Sequence, residues 1–570
     1  MNMNTSKSKQ CKRKVTVTIE EEDAKPMVLT QALLPVYLRP YPTSCLKIID
    51  NEDQDDDDST SLLHLAKHVF RKLSKKRNWN PTPIQLQSWP ILEQTSLNLI
   101  AIAPTGSGKT LGYSMPMVHS CMESISQHQE SNRHRGKKAD RLRRRVHGLV
   151  LLPTRELAIQ VFQTLKIVAK SANQLAGRTE AELISAMVLY GGVDREEQID
   201  SLSQKKEFIL AATPLRLIDL LGIGEDMVPD ERVQALFETT KYLVIDEADT
   251  MAIKSDMKEQ VDLIVDFLRD KSCSAGDVKK CLFSATLPRR AVTKCDKWID
   301  MPRATVKVDT VTVGREQEEL QKKEASNNAT NAANGRGDKD GKSAAEEKAG
   351  KAAAAACRGP LDVSTIPAHI TQILHVCSNN EKPKKLIDTI TKIRNSEKEQ
   401  GSRRKGLIIV YFAKIKTLES RYLGLLKEKI SCVPFHGQMK QMKREQQLNE
   451  FKCGKMPILL TTDIAARGIH CNNVEYVINY DFPESIEQYV HRSGRCGRNK
   501  GSSGSAAGKG NSNSNDTVYS YFNQELAPLA GDLIDLLRSC NSWVDPNLIS
   551  LIPDRVREGG ESLPKKRKHN

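Results

Sequence analysis

The sequence is short of aromatic residues, of long apolar runs and of paired cysteines. Aromatics make up only 5% of the 570 residues. No stretch approaches the roughly 18 consecutive apolar residues of a membrane-spanning helix, which argues against a helical membrane protein. The opening segment "MNMNTSKSKQCKRK" has no apolar core of the kind a signal peptide carries. The 13 cysteines are scattered, with no C-x-x-C pair. They read as small buried hydrophobes in a reducing compartment rather than as disulfides or a zinc site. On the same grounds the sequons at 4–6 and 328–330 are chance matches. No internal repeat at solenoid or propeller spacing is visible. The expectation is a soluble intracellular chain.

What is present is length and positive charge. A chain of 570 residues exceeds one ordinary core, so two domains with tails are expected. A net charge of +15 fits a polyanionic partner without identifying it. Composition then divides the chain. Residues 1–60 mix a basic start with "NEDQDDDD" (51–58) and read as a disordered tail. Residues 61–311 form a first domain and 365–540 a second. The segment 312–364 between them, rich in Ala, Lys, Glu, Gly and Asn, has too few apolar residues for a core and reads as a linker or insertion. A Gly/Ser/Asn-rich insert (499–516) interrupts the second domain, a basic element lies at 133–145, and a basic tail fills 541–570.

Both blocks alternate short, wholly apolar runs with helical patterns. The first has "LNLIAIA" (97–103), "HGLVLLP" (147–153), "AMVLYGG" (186–192), "FILAAT" (208–213), "YLVIDEAD" (242–249) and "CLFSAT" (281–286). The second has "TQILHVC" (371–377), "GLIIVYF" (406–412), "CVPFHG" (432–437), "PILLTTD" (457–463) and "VEYVINYD" (474–481). Such runs suit strands buried on both faces, hence parallel sheets covered by helices. Between two of them, Leu157, Val161, Leu165 and Val168 share one helical face. Two doubly wound α/β domains joined by a flexible linker are predicted.

In open α/β sheets ligands bind beyond the carboxyl ends of the strands. The first run ends there in "APTGSGKT" (103–110). Gly106 and Gly108 allow backbone N–H groups to surround phosphate oxygens, Lys109 adds a point charge, and Thr110 is suited to holding Mg²⁺. A later strand ends in "VIDEAD" (244–249): Asp246 suits the Mg²⁺ shell, partly through water, and Glu247 an attacking water. Taken alone, that acidic cluster is equally a salt-bridged strand end. "YVHRSGRCGRNK" (489–500) spaces Arg492, Arg495 and Arg498 between glycines, which a plain solvated basic turn does not require.

Together "APTGSGKT", "PTRELA" (153–158), "GG" (191–192), "DEAD" (246–249), "SAT" (284–286), "TTDIAARGI" (461–469) and "HRSGRCGR" (491–498) resemble the ordered motif set of DEAD-box ATP-dependent RNA helicases. The likeness spans about residues 62–540. It implies two RecA-like domains, ATP with Mg²⁺, and RNA. Catalysis would fall to Lys109, Asp246, Glu247, Arg495 and Arg498, the last two on the γ-phosphate. ATP would be held by Thr82, Gln85, Ala103, Pro104, Thr105, Gly106, Ser107, Gly108, Lys109, Thr110, Gly468, Arg495 and Arg498. Ser284, Thr286, His491 and Arg492 would couple the lobes, with Gly494 and Gly497 leaving room for close approach. RNA would meet Pro153, Thr154, Arg155, Gly191, Gly192, Thr213 and Arg216 in the first lobe and Gln441, Arg444 and Thr462 in the second. These small, polar and basic groups suit a sugar–phosphate backbone rather than base edges. Thr154 equally suits a helix N-cap.

Some positions depart from the family pattern. Asn78 stands where an aromatic is usual, with Trp79 one place later, Leu215 replaces Gly, His470 replaces Asp, and Ser493 and Cys496 replace an aliphatic residue and a threonine. The terminal "LPKKRKHN" (563–570) reads as a nuclear-import tract. The combined expectation is a monomeric nuclear or nucleolar enzyme whose RNA-stimulated ATP hydrolysis separates short duplexes, in ribosome assembly or pre-mRNA processing. The alternatives are an ATP-dependent RNA clamp with little turnover, and a motor on DNA.

Overall fold

The computed structural model describes residues 13–21, 27–29, 61–73, 81–134, 144–177, 184–204, 207–224, 227–271, 278–310, 366, 370–401, 405–463, 474–496, 516–540 and 542–552. The expected linker, the Gly/Ser/Asn insert up to 515, most of the basic element and the chain from 553 onward lie outside them, as do Asn78, Trp79, Gly468, His470, Gly497 and Arg498.

The apolar runs of the first block become β3 (Asn98–Ile102), β4 (Arg145–Leu151), β5 (Ile184–Leu189), β6 (Glu207–Ala212), β7 (Tyr242–Asp246) and β8 (Lys279–Ser284). With β1 (Arg13–Glu20), β2 (Met27–Leu29) and β9 (Arg303–Thr310) they build one sheet in the order β2-β1-β9-β3-β8-β7-β4-β6-β5. From β9 to β5 every pairing is parallel. The second sheet is wholly parallel: β10 (Thr371–Val376), β15 (Thr517–Phe522), β14 (Val474–Asn479), β11 (Leu407–Phe412), β13 (Ile458–Thr462) and β12 (Val433–Phe435), neighbours in that order. Central strands such as β6, β7, β11 and β13 are buried at every residue. Their unbroken apolar character follows from having helices on both faces. The helix Arg155–Leu175 buries Leu157, Val161, Leu165 and Val168, the face its sequence spacing marks.

Two segments differ from expectation. Within residues 1–60, Arg13–Glu20 is not a tail: it pairs antiparallel with all of β9, and Met27–Leu29 pairs with it in turn. The segment "KVTVTIE" alternates apolar and polar residues, as a strand with one covered face does. Flanking charge hides that alternation in any composition average. Val17 is fully buried, and Arg303 of β9 donates to Glu20 at 2.8 Å. Past 540, Pro546–Ser550 forms a short helix with Leu548 buried in the second domain.

Val17→Ala should therefore lower the stability of the first domain by about 2 kcal/mol in urea unfolding. An unattached tail would show no change.

Candidate active site

The phosphate loop follows β3 and runs into the helix Lys109–His134. Gly106 and Gly108 hold φ of 76° and 89°, the left-handed region that favours glycine. A Cβ on Gly108 would lie 2.3 Å from Gln85 Nε2. Gln85 is fully buried and donates from that nitrogen to Gly108 O at 2.9 Å, while its Oε1 accepts from Thr82 N at 2.9 Å. The "PTPIQ" segment is thus tied directly to the loop. Lys109 Nζ donates to Ala103 O and Pro104 O at 2.7 and 3.3 Å, so its ammonium lies folded into the loop. Thr110 follows it into the helix, and Ser107 Oγ is buried without a hydrogen-bond partner.

Strands β3, β8 and β7 are neighbours, and Ala103 N donates to Ser284 O at 3.1 Å. This register places the loop beside the ends of β7 and β8. Asp246 Oδ1 accepts from Glu247 N at 2.9 Å and Oδ2 from the Tyr113 hydroxyl at 3.0 Å. Burial pushes the Asp246 carboxyl up to about 6; Lys109 opposes the rise and Glu247 adds to it. Glu247 sits at φ 53°, unusual for a residue with a side chain. Its Oε2 is buried with no hydrogen-bond partner.

The second domain reaches this cleft through the helix Ile486–Ser493 and the turn after it. Asp249 Oδ2 accepts from Thr286 Oγ1 at 2.6 Å and faces His491 Nε2 at 3.0 Å. Ser284 Oγ donates to Thr286 O at 2.5 Å. Burial alone would raise the Asp249 carboxyl, but His491, Thr286 and Ser284 outweigh it and hold the carboxyl well below the usual range. Thr105 Oγ1 donates to Gly494 O at 3.1 Å, and a Cβ on Gly494 would meet that hydroxyl at 2.3 Å. Arg495 lies 5% exposed, with Nη2 4.0 Å from Glu247 Oε1. Arg492 differs from its expected role between the lobes. Its guanidinium grips Asp463 bidentately at 2.7 and 2.6 Å, bonds Asn479 and Asp481 O, and lies over Tyr411. All these partners belong to the second domain, because the arginine points back under its own helix.

Of the residues expected along an RNA path, some are brought together and others are held in local contacts. Pro153 leads into Thr154, whose Oγ1 accepts from Leu157 N at 3.3 Å as an N-cap. The Arg155 guanidinium lies over Gly191 and Gly192; a Cβ on Gly192 would meet it at 2.7 Å. Thr213 precedes the helix Pro214–Leu221. Arg216 is heavily engaged, donating to Gln198 and Asp219 at 2.8 Å each and to Val193 O. Gln441 donates to Glu445 at 2.9 Å, and Thr462 ends β13. Arg444 pairs with Glu156 of the first domain at 2.6 Å, both side chains only 8% exposed.

Glu156, Tyr113 and Asn479 carry no sequence signal of their own. Glu156 stands inside "PTRELA", beside residues whose types suit RNA contact. Tyr113 shows only as an aromatic in a helical pattern, and Asn479 only as a strand residue.

The raised carboxyl of Asp246 has a definite consequence for stability. Its ordinary value is 3.8 and its folded value about 6. Below pH about 3 both states are protonated and the cost of burying the charge is absent. As pH rises through about 6 the cost is fully incurred. Asp246→Asn, which keeps an oxygen for Tyr113, should therefore exceed the parent chain in stability at pH 7.5 by up to about 3 kcal/mol. In nucleotide-free unfolding the difference should vanish near pH about 3.

Comparison with known proteins agrees with this geometry. Residues 82–295 match the DEAD/DEAH box helicase family, and residues 381–500 match the helicase conserved C-terminal domain. ATP-dependent RNA helicase DBP3 of Candida glabrata is 30% identical over 488 residues, covering 85% of this chain and 69% of its own. DEAD-box ATP-dependent RNA helicase 20 of Arabidopsis thaliana is 30% identical over 485 residues, covering 85% of this chain and 74% of its own. Among solved structures, Mss116p bound to ssRNA and AMP-PNP superposes with a TM-score of 0.58 at 20% identity, covering 87% of this chain and 80% of its own. Dbp5 of S. cerevisiae bound to RNA and ADP BeF3 does so at 0.53 and 19%, covering 84% and 92%. These structures share the fold of two RecA-like α/β domains. With the motifs, the two matched family regions and the relatives in agreement, the chain belongs to the DEAD-box family of ATP-dependent RNA helicases.

Proposed function

We propose that this chain hydrolyses ATP in response to RNA, with closure of its two domains coupling the hydrolysis to local separation of an RNA duplex. The observation that carries the reading is the convergence of the phosphate loop, the Asp246–Glu247 pair and Arg495 of the other domain in one cleft. The relatives named as ATP-dependent RNA helicases support the substrate class.

In this reading ATP enters between the loop and the second domain. Lys109 leaves the carbonyls of Ala103 and Pro104 for the β/γ-phosphates, and the loop N–H groups take up phosphate oxygens. The residues present are of the types that hold Mg²⁺: Asp246 and Thr110 offer oxygen ligands, and Ser107 Oγ and Glu247 Oε2 are buried oxygens without a hydrogen-bond partner. When bound, Mg²⁺ would neutralise phosphate charge. Asp246, costly to ionise in the empty site, is thereby favoured as a carboxylate. Glu247 orients the attacking water, and Arg495, with Arg498 outside the described residues, meets charge developing on the γ-phosphoryl oxygens. Gln85 holds the loop to the adenine-facing segment. Ser284 and Thr286 relay the state of the cleft through Asp249 to His491.

RNA would lie over Pro153, Thr154 and Arg155, the Gly191–Gly192 turn, and Thr213 in the first domain, and over Gln441 and Thr462 in the second. Arg216 serves this path by fixing the 193–198 turn. Arg444 joins the domains through Glu156 at the edge of the same path, so strand binding and domain contact share one region. Binding through backbone phosphates should weaken steeply with salt. A nuclear setting, in ribosome assembly or pre-mRNA processing and with the protein as a monomer, rests on the basic tract at 565–568 and on family habit.

Phosphate release should rise with single-stranded RNA, vanish in Lys109→Ala, and fall by about 10³-fold or more in Arg495→Ala. Matched DNA should not substitute for RNA. Tight ATP-dependent RNA binding with no turnover above the Lys109→Ala control would instead make the protein a clamp.

A further inference from the structure

At the sheet edge opposite the phosphate loop, three side chains of metal-binding type converge. They are Cys121 from the helix Lys109–His134, His147 near the start of β4, and Glu207 at the start of β6. All three are buried, and one ligand atom from each lies within 4.8 Å of the others. Sequence alone gives no sign of the group, because its members are far apart along the chain and belong to different elements.

The surroundings of His147 single this cluster out from an ordinary polar core. The register between β4 and β6 shifts between Val146 and Gly148, so His147 sits at the irregularity, the kind of feature that re-aims a side chain. Its Nε2 faces Ser120 Oγ of the helix at 3.3 Å. Its Nδ1 is buried with no hydrogen-bond partner, a state that ordinarily costs about 1–3 kcal/mol. Glu207 is 1% exposed and its Oε1 takes the Arg145 guanidinium at 2.5 Å. Ser120 and Arg145 therefore supply contacts of the outer-shell kind, one to the imidazole and one to the carboxylate.

We propose that Cys121, His147 and Glu207 bind a zinc ion, with a water in the fourth position, fastening the helix that begins in the phosphate loop to the far edge of the first sheet. A thiolate, an imidazole and a carboxylate are a zinc donor set; magnesium and calcium prefer oxygen alone. Ligand atoms around tetrahedral zinc lie about 3.5 Å apart given its bond lengths, so side-chain adjustment of about 1 Å completes the site. Binding converts the Cys121 thiol to thiolate and releases that proton to solvent. The site lies at the opposite end of the strands from the cleft, on the helix that leaves the phosphate loop. It departs from the expectation that none of the cysteines serves zinc, an expectation built on C-x-x-C spacing. It stands independently of the proposed RNA-dependent activity.

The test uses the untagged full-length chain, stripped with chelator, reloaded with Zn²⁺ or Co²⁺ and dialysed. Equimolar zinc should remain in the parent chain and in Cys453→Ser, a change at an exposed cysteine. It should be lost in Cys121→Ser and His147→Gln. Cobalt should give a sulfur-to-metal charge-transfer band that disappears in Cys121→Ser, and zinc should raise the melting temperature of the parent chain only. Should a variant fail to fold, zinc-edge X-ray absorption of the parent decides alone: one sulfur among nitrogen and oxygen neighbours is expected. A reloaded parent chain that keeps no zinc, or zinc in a shell of several sulfurs, would overturn the site.

Discussion

One buried oxygen, Oδ2 of Asp249, meets Thr286 at the end of β8 and His491 of the second domain. The rest of the cleft is arranged around that meeting. Asp249 lies in the short helix that follows Asp246 and Glu247, and Thr286 lies two residues past Ser284, the residue that binds Ala103 of the phosphate loop. His491 belongs to the helix that delivers Gly494 and Arg495. Moving any of these three segments moves its share of the nucleotide site with it. The constraint is geometric before it is energetic: a carboxylate oxygen accepts along few directions, so the two domains meet in one register.

Asp246 and Asp249 are near neighbours in the chain, both fully enclosed, with opposite acid–base character. Burial raises Asp246, which has a hydroxyl and one backbone N–H for company. Asp249 is lowered because a histidine and two hydroxyls favour its charged form. Their placement follows their roles in the proposed cycle. The group meant to receive a cation is costly to ionise while the site is empty, and so gains most when one arrives. The group meant to hold the architecture is ionised from the start. Glu247, between them, is held at positive φ, local strain that the folded sheet has to over-determine.

The parts of the fold that were legible in the sequence are those where physics acts on consecutive residues. Strands buried on both faces must be apolar throughout, so β3 to β8 and β10 to β14 announce themselves. The phosphate loop does so through glycines that only a turn with positive φ requires. What stayed hidden depends on partners distant in sequence. Strands β1 and β15 ("TVYSYF") mix polar residues into their runs; in β15 Ser520 bonds Asn479 and the Tyr521 hydroxyl pairs with Thr389, partners distant in sequence. The Glu156–Arg444 pair joins residues whose motifs each suggest RNA, and only the approach of the two domains shows that they meet. Arg492 reads as one of three equivalent arginines, yet a carboxylate, an amide and a ring beneath it hold it in its own domain.

The contacts between the domains share a chemistry that bears on how they come apart. The hydrophobic core residues group by sheet, and none of those groups mixes residues of the two domains. Among the described residues the contacts that cross the gap include Glu156 to Arg444, Asp249 and Thr286 to His491, Thr105 to Gly494, and Glu247 toward Arg495. A buried ion pair gains in Coulomb energy about what it loses in desolvation, so such contacts select a geometry without adding much to its stability. An interface of this kind is set by the charge lodged within it. In the proposed cycle, triphosphate between Lys109 and Arg495, and a phosphate backbone beside Arg155 and the Arg444 pair, would supply anions where both domains present cations. Each would then shift the balance by its own differential affinity. An apolar seam would hold the domains together whatever was bound, and would leave hydrolysis in that cycle nothing to release.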